Sequence, residues 1–210
     1  MMKAGQEIKN IIFDLGGVIL NIDYHLTMDA FRKLGMEEFF SQQQQTEMVD
    51  LYEKGFISSD EFRNQIKSHL PADTKTDQID RAWNIMLLDL PIERIELLTQ
   101  LKKKYRLFLL SNTNEIHIRA FSNYLWQTFG FDNLSHLFEK EYLSYQLGMR
   151  KPDKEIFEFV LDENGLKAEQ TIFIDDSPQH IEGAKQTGIH TIWLEKGKTI
   201  LDLWNKEALI

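Results

Sequence analysis

Asn10-Ile11-Ile12-Phe13-Asp14-Leu15-Gly16-Gly17-Val18 reads as a short buried strand that delivers a carboxylate into a glycine turn. Apolar and β-branched residues before Asp14 favour a strand, and the paired glycines let the chain turn sharply where a bound group could approach the backbone. An aspartate there has an ordinary use as a turn cap. Two later stretches repeat the pattern: an apolar run over 107–110 ends in Ser111, Asn112, Thr113 and Asn114, and another over 171–174 ends in Asp175, Asp176 and Ser177. Three such endings describe a shared site better than three unrelated turns.

After Asp23 the pattern turns helical. Leu26, Ala30, Phe31 and Leu34 predict one apolar stripe, Phe39 precedes the glutamine run 42–45, and Met48, Val49 and Tyr52 follow it. Ser58 or Ser59 with Glu61 suits a capping box for a helix carrying Phe62 and Ile66. A further helix takes Ile79, Ala82, Trp83, Ile85, Met86 and Leu87. No strand signal interrupts these segments, so 21–90 is expected to form a small helical bundle inserted after the first strand. Its aromatics, Phe40, Tyr52 and Trp83 among them, read as packing core before they read as ligand contacts.

Pro91 then opens a helix over 92–104, and the remainder alternates. A strand over 105–110 precedes a helix over 115–129, a short strand over 136–138, a loop with a helical turn over 144–152, and a helix that Asp153 can cap. A strand over 171–174, a helix started by Ser177 and Pro178, and a strand over 189–194 follow, with a mildly apolar tail over 201–210 placed to dock as a short helix. The expected fold is α/β: a Rossmann-like parallel sheet flanked by helices, built from 1–20 and 91–210, with 21–90 as the inserted helical-bundle cap. Right-handed crossovers would gather the polar strand ends at the C-terminal edge of that sheet.

The totals narrow the chemistry. With 210 residues, 42% of them hydrophobic, the chain can bury a substantial core. A formal net charge of -9 without a basic patch disfavours nucleic acid as a partner, and no stretch reads as a signal peptide or a membrane span. Cysteine is absent, which excludes disulfides, thiolate catalysis and thiolate-bound zinc, and fits a cytoplasmic protein.

If the sheet forms as described, Asp14, Asp175 and Asp176 share one cleft. Carboxylates so placed repel unless protonated or joined by a cation, and an oxygen-only set points to Mg²⁺ held together with substrate phosphate. Capping of the next helix is the alternative use of the acidic pair, but Ser177 is expected to do that work. Ser111 and Asn112 are short donors suited to phosphoryl oxygens. Lys151, beside Pro152, could bring positive charge to the same cleft. Together they describe phosphoryl transfer by positioning and electrostatic stabilisation of a small phosphorylated metabolite.

These residues resemble the four motifs of the haloacid dehalogenase-like superfamily: Asp14-Leu15-Gly16-Gly17-Val18, Ser111-Asn112, Lys151-Pro152 and Ile174-Asp175-Asp176-Ser177, in the family's order and spacing. The wording around them is similar to bacterial sugar-phosphate phosphatases of the glucose-1-phosphate phosphatase-like kind. The resemblance implies that Asp14 is a nucleophile forming an aspartyl-phosphate and that Lys151 offsets charge on it. It further implies that Asp14, the Gly16 carbonyl, Asp176 and, directly or through water, Asp175 hold Mg²⁺, while Ser111, the backbone of Asn112 and Gly17 bind the phosphoryl group. A hexose 1-phosphate is one substrate it suggests.

Gly16 departs from the pattern, because most phosphatases of the superfamily carry there a second aspartate that acts as general acid and base. Losing such a group costs about 10²- to 10⁴-fold. Asp23 or a residue of the inserted cap is a candidate replacement, with a hinge or cap-helix role as the alternative for Asp23; His25 and His180 read as helix-terminal surface histidines. Two other activities stay open: metal-free 2-haloacid dehalogenation, which does not use the second aspartate, and binding or regulation with little turnover.

Overall fold

Five strands, β1 (Asn10–Phe13), β2 (Arg106–Ser111), β3 (Lys140–Leu143), β4 (Thr171–Asp175) and β5 (His190–Trp193), form one parallel sheet in the order β3-β2-β1-β4-β5. The computed structural model describes residues 7–36 and 47–204. Ten helices lie within them: α1 (Tyr24–Lys33), α2 (Glu47–Glu53), α3 (Ser59–Lys67), α4 (Thr76–Asn84), α5 (Ile92–Leu101), α6 (Glu115–Phe129), α7 (Ser144–Leu147), α8 (Lys154–Asn164), α9 (Pro178–Lys185) and α10 (Ile200–Trp204). Phe39, Phe40, the glutamine run and 205–210 fall outside the described residues.

The two-residue period of the strands builds both layers. Ile11, Phe13, Leu107, Leu109, Ile172 and Ile174 join one core with Ile95 and Leu98 of α5, Leu125 of α6 and Ile200 of α10. Ile12, Phe108, Leu110 and Phe173 point the other way, against Ile156, Phe157 and Val160 of α8 and Ala184 of α9. With both faces covered, the inner strands are apolar throughout rather than alternating.

The chain winds from β1 outward through β2 to β3, then returns to place β4 on the other side of β1. The strand order therefore reverses between β1 and β4, and crevices for ligands open at the carboxyl ends of strands that flank such a reversal. Asp14 follows β1 there, while Asp175 ends β4.

The inserted helices have a core of their own, with Phe31, Val49, Tyr52, Phe62, Ile66, Ile79 and Trp83 buried together. Their connections to the sheet run side by side. Asn21 donates its N–H to the Asp89 carbonyl (2.9 Å), Leu88 donates to Asn21 (3.0 Å) and Asp23 donates to Met86 (2.9 Å). Buried Arg94 clamps the first connection through Nη1 to the Ile19 carbonyl and Nη2 to Asn21 Oδ1, both 2.8 Å.

Several local expectations are corrected. The strand expected over 136–138 is a turn, closed by Leu137 N–H on the Leu134 carbonyl, and its buried Leu137 and Phe138 plug the sheet-helix layer. The strand itself follows at β3, whose partly exposed Lys140 and Glu141 disguised it. α4 stops at Asn84, so Ile85 is exposed and Leu87 bridges to Ile22 in the return connection. Leu26 is exposed as well; the α1 stripe instead buries Thr27, whose hydroxyl donates to the Trp83 carbonyl. Ser177 and Asp153 stand at helix N-caps, yet neither side chain makes a capping bond.

Candidate active site

Lys151 is the hub of the cleft. Its fully buried ammonium lies 2.8 Å from Asp14 Oδ1 and 2.7 Å from Asp175 Oδ2. Asn112 fixes the lysine backbone from both sides, accepting the Lys151 N–H on Oδ1 (2.9 Å) and donating Nδ2 to its carbonyl (2.8 Å). Asp175 is fully engaged: Oδ1 accepts the Ser177 N–H at 2.7 Å, and His180 Nδ1 lies 2.9 to 3.0 Å from its oxygens.

The charge balance of the cleft is uneven. Burial pushes Asp175 up, but the Lys151 charge and the His180 hydrogen bond outweigh it and hold the carboxyl at about 2. Burial wins at Asp14, with the Asp175 charge adding to it against Lys151, so its pKa is raised. Asp176 rises to about 7, pushed first by burial and then by the charges of Asp14 and Asp175. Three carboxylates thus face one lysine, an oxygen-rich excess of negative charge that a hard divalent cation fits. Asp14, Asp175 and His180 also offer atoms within 4.8 Å of one another, but Asp175 is already shared by Lys151 and His180. Asp176 is crowded by the charges of Asp14 and Asp175, which Lys151 only partly offsets.

Gly17 makes that arrangement possible. At φ 76° a Cβ on it would fall 2.2 Å from Asp176 Oδ2, so only glycine leaves the carboxylate its place. The Gly17 N–H is donated to the Leu20 carbonyl at 2.8 Å. At Gly16 a Cβ would meet Ile22 Cδ1 at 3.0 Å, so the space of the missing side chain is filled by an apolar one.

The helical insert is docked over this edge. Arg150, next to Lys151, reaches Asp50 (3.0 Å) and Glu53 (2.8 Å) on α2, and Lys54 lies 3.7 Å from Asp153. Trp83 donates Nε1 to Asn114 Oδ1 at 3.2 Å and stacks on His117 at 4.7 Å. Burial holds His117 neutral, with its pKa down at about 4. A Cβ on Gly55, at φ 69°, would fall 2.1 Å from the Tyr145 carbonyl oxygen. Gly55→Ala is therefore expected to lower stability by about 1–3 kcal/mol and to lift the turn from its seat. Urea unfolding and faster proteolysis near residue 55 would register it; an unchanged midpoint would contradict the seat.

A sequence profile described as haloacid dehalogenase-like hydrolase matches residues 8–188. The chain belongs to this family. A D-ribitol-5-phosphate phosphatase from Bacteroides thetaiotaomicron is 32% identical over 206 residues, covering 97% of this chain and 98% of its own. A haloacid dehalogenase family enzyme from the same organism, solved with magnesium and inorganic phosphate, has a TM-score of 0.85 at 36% identity, covering 94% of this chain and 99% of that one. A 2-haloacid dehalogenase from Pseudomonas syringae pv. Tomato DC3000 is similar in fold alone, with TM-score 0.57 at 19% identity over 89% of this chain and 86% of that one.

In this member of the family, Asp14, Lys151, Asp175 and Asp176 meet at one sheet edge, with Ser111 buried at the end of the neighbouring strand. The Asn112 side chain is taken up by the Lys151 backbone. Asp23 caps α1 by accepting the His25 N–H at 2.9 Å. Tyr52 and Trp83 are core residues, buried to 2% and 1% exposure. His180 is corrected: it is no surface histidine but rests against Asp175. Glu53 and Arg150, which tie α2 to the sheet edge, were missed. Only Arg150, beside the motif lysine, carried a local signal.

Proposed function

We propose that this haloacid dehalogenase-like hydrolase is a Mg²⁺-dependent phosphatase of small sugar or polyol phosphates, working through an aspartyl-phosphate on Asp14. The observation that carries the reading is the buried Lys151 held between Asp14 and Asp175, with Asp176 crowded by negative charge beside them. The phosphatase from Bacteroides thetaiotaomicron and the magnesium and phosphate complex support it. Neither favours a hexose 1-phosphate over other sugar phosphates. Among the described residues no helix is long and apolar enough to cross a membrane.

In this reading Asp14, Asp176 and the Gly16 carbonyl hold Mg²⁺, and Asp175 positions Lys151 rather than taking the ion directly. When bound, the ion would supply positive charge to offset that of the phosphoryl oxygens and of the carboxylates holding it. Lys151 opposes the effect of burial on Asp14 by favouring its ionised form, and holds one of its oxygens while the other faces phosphorus. Ser111 and the backbone of Asn112 hold the transferred group. The insert docked by Arg150 covers the edge and limits water. A Mg²⁺-supported panel of phosphomonoesters, with a chelator control and 2-haloacids alongside, tests this. Mg²⁺-dependent phosphate release is expected; halide release without metal, or tight phosphate binding with no turnover on any ester, would overturn it.

Asp176 gives a separate check. Its folded pKa is raised from 3.8 to about 7, so without metal its contribution to stability is full below 3.8 and is lost as pH rises through about 7. Asp175 has the opposite sign and acts only as pH falls towards about 2. With chelator present, the wild type should lose thermal stability relative to Asp176→Asn as pH climbs through that window. Above it, Mg²⁺ should raise the wild-type midpoint and leave the variant nearly unmoved. An equal Mg²⁺ effect on both would remove Asp176 from the ion.

A further inference from the structure

Backbone pairing between β2 and β3 ends at Ser111 against Leu143. Ser144, the next residue, carries the connection one step further with its side chain. Its hydroxyl accepts the Thr113 N–H at 3.0 Å and donates to the Thr113 carbonyl at 3.1 Å, and the residue is wholly buried. A hydroxyl can serve both groups at once, having one proton and two lone pairs. Asn112 makes a matching pair of bonds in the opposite direction, reaching from the same turn to the N–H and carbonyl of Lys151 at 2.9 and 2.8 Å. Between the two anchor points run α7 and Gly148, whose left-handed conformation (φ 69°) ends that helix ahead of Lys151. The segment that carries the lysine is thus fastened to the turn after Ser111 at both ends, by Ser144 at its start and by Asn112 at its finish.

We propose that Ser144 is a positioning residue for phosphoryl transfer, whose hydroxyl sets the turn after Ser111 against the segment that carries Lys151. The proposal rests on the phosphatase reading above, in which Ser111 and the Asn112 backbone hold the phosphoryl group while Lys151 holds Asp14. Nucleophile and phosphorus are then seated by two different stretches of chain. Their alignment depends on the spacing between those stretches, and Ser144 fixes it through Thr113 without acting on the ester itself. Without the hydroxyl, the buried Thr113 N–H and carbonyl lose their partner and the turn shifts to satisfy them. A misplacement of about 1 Å can cost about 10²-fold in rate.

Ser144→Ala removes the hydroxyl, and Ser144→Cys keeps a group of similar size with weaker hydrogen bonds. Rates are measured with Mg²⁺ and a polyol phosphate, below the unfolding midpoint of each variant and per folded protein. Expected is a fall in kcat of about 10- to 100-fold for Ser144→Ala and about 3- to 10-fold for Ser144→Cys. KM should move by less than about threefold, because the rest of the cleft still holds the ester. Ser144→Cys, the milder change, decides alone should Ser144→Ala not fold. In a double-mutant cycle with Asn112→Ala, the combined loss should fall short of the product of the single losses by about threefold or more, since both side chains fix one spacing. Wild-type kcat in the folded variants, a loss confined to KM, or losses that multiply in full overturn the role of Ser144 and leave the phosphatase reading standing. A wild-type protein inert on every phosphomonoester overturns the two together.

Discussion

Asp14→Asn is expected to reduce Mg²⁺-dependent phosphate release by about 10⁴- to 10⁶-fold while leaving the fold intact. A carboxamide has nearly the same shape but lacks the charge needed to attack phosphorus. The substitution also relieves the site, since burial and the neighbouring Asp175 already press Asp14 towards its neutral form. Lys151 keeps Asp175 as its partner and the amide oxygen as an acceptor. Single-turnover phosphate release and thermal unfolding, measured on the same preparation, separate chemistry from folding. Loss of rate with a wild-type midpoint is the expected pair; loss of both together would mean that Asp14 serves chiefly to hold the structure.

Lys151→Met should strike both properties. Methionine matches the lysine stem in volume, so packing against Phe173, whose ring centroid lies 5.3 Å from the ammonium, is largely kept. What is lost is the cation between two buried carboxylates. Removing one partner of such a cluster destabilises by about 3–5 kcal/mol, because the remaining charge has no compensation. The pH dependence follows from the same cause. Without Lys151, burial raises the Asp175 carboxyl from its depressed native position, and a group with a raised folded pKa contributes stability at low pH that is lost on going up. Denaturant unfolding at about pH 5 should therefore show a smaller penalty than at about pH 8. Phosphate release should fall by about 10³-fold. A penalty that does not change with pH would indicate a cavity effect in place of an electrostatic one.

Much of the sheet could be read from the chain because three strands state their ends locally. β1, β2 and β4 are unbroken apolar runs stopped by Asp14, Ser111-Asn112 and Asp175-Asp176, and α6 runs from an Asn114 cap to a left-handed Gly130. β3 escaped because an edge strand needs only one well-buried end, so Lys140 and Glu141 hid it behind the apolar turn before it. The same contrast holds in the site. Asp14, Lys151 and the acidic pair carry motif spacing, but the division of labour between Asp175 and Asp176 depends on where Lys151 and His180 arrive in space. Asn112 looked like a phosphate donor, and its side chain instead clamps a backbone 39 residues away. Arg150 meets Asp50 across 100 residues, a pairing with no period to betray it. Ser177 stands at the N-cap yet lends its N–H to Asp175, so the carboxylate takes the backbone donor and the capping hydroxyl is not used.

The decisive measurement is a rapid acid quench of the Mg²⁺-loaded protein during turnover of a phosphomonoester labelled on phosphorus, followed by mapping of the label along the chain. A transient phosphoryl group on Asp14, formed before free phosphate and absent from Asp14→Asn, is the expected result. Labelled phosphate released by Asp14→Asn at the wild-type rate, or a label seated on any other residue, would contradict it.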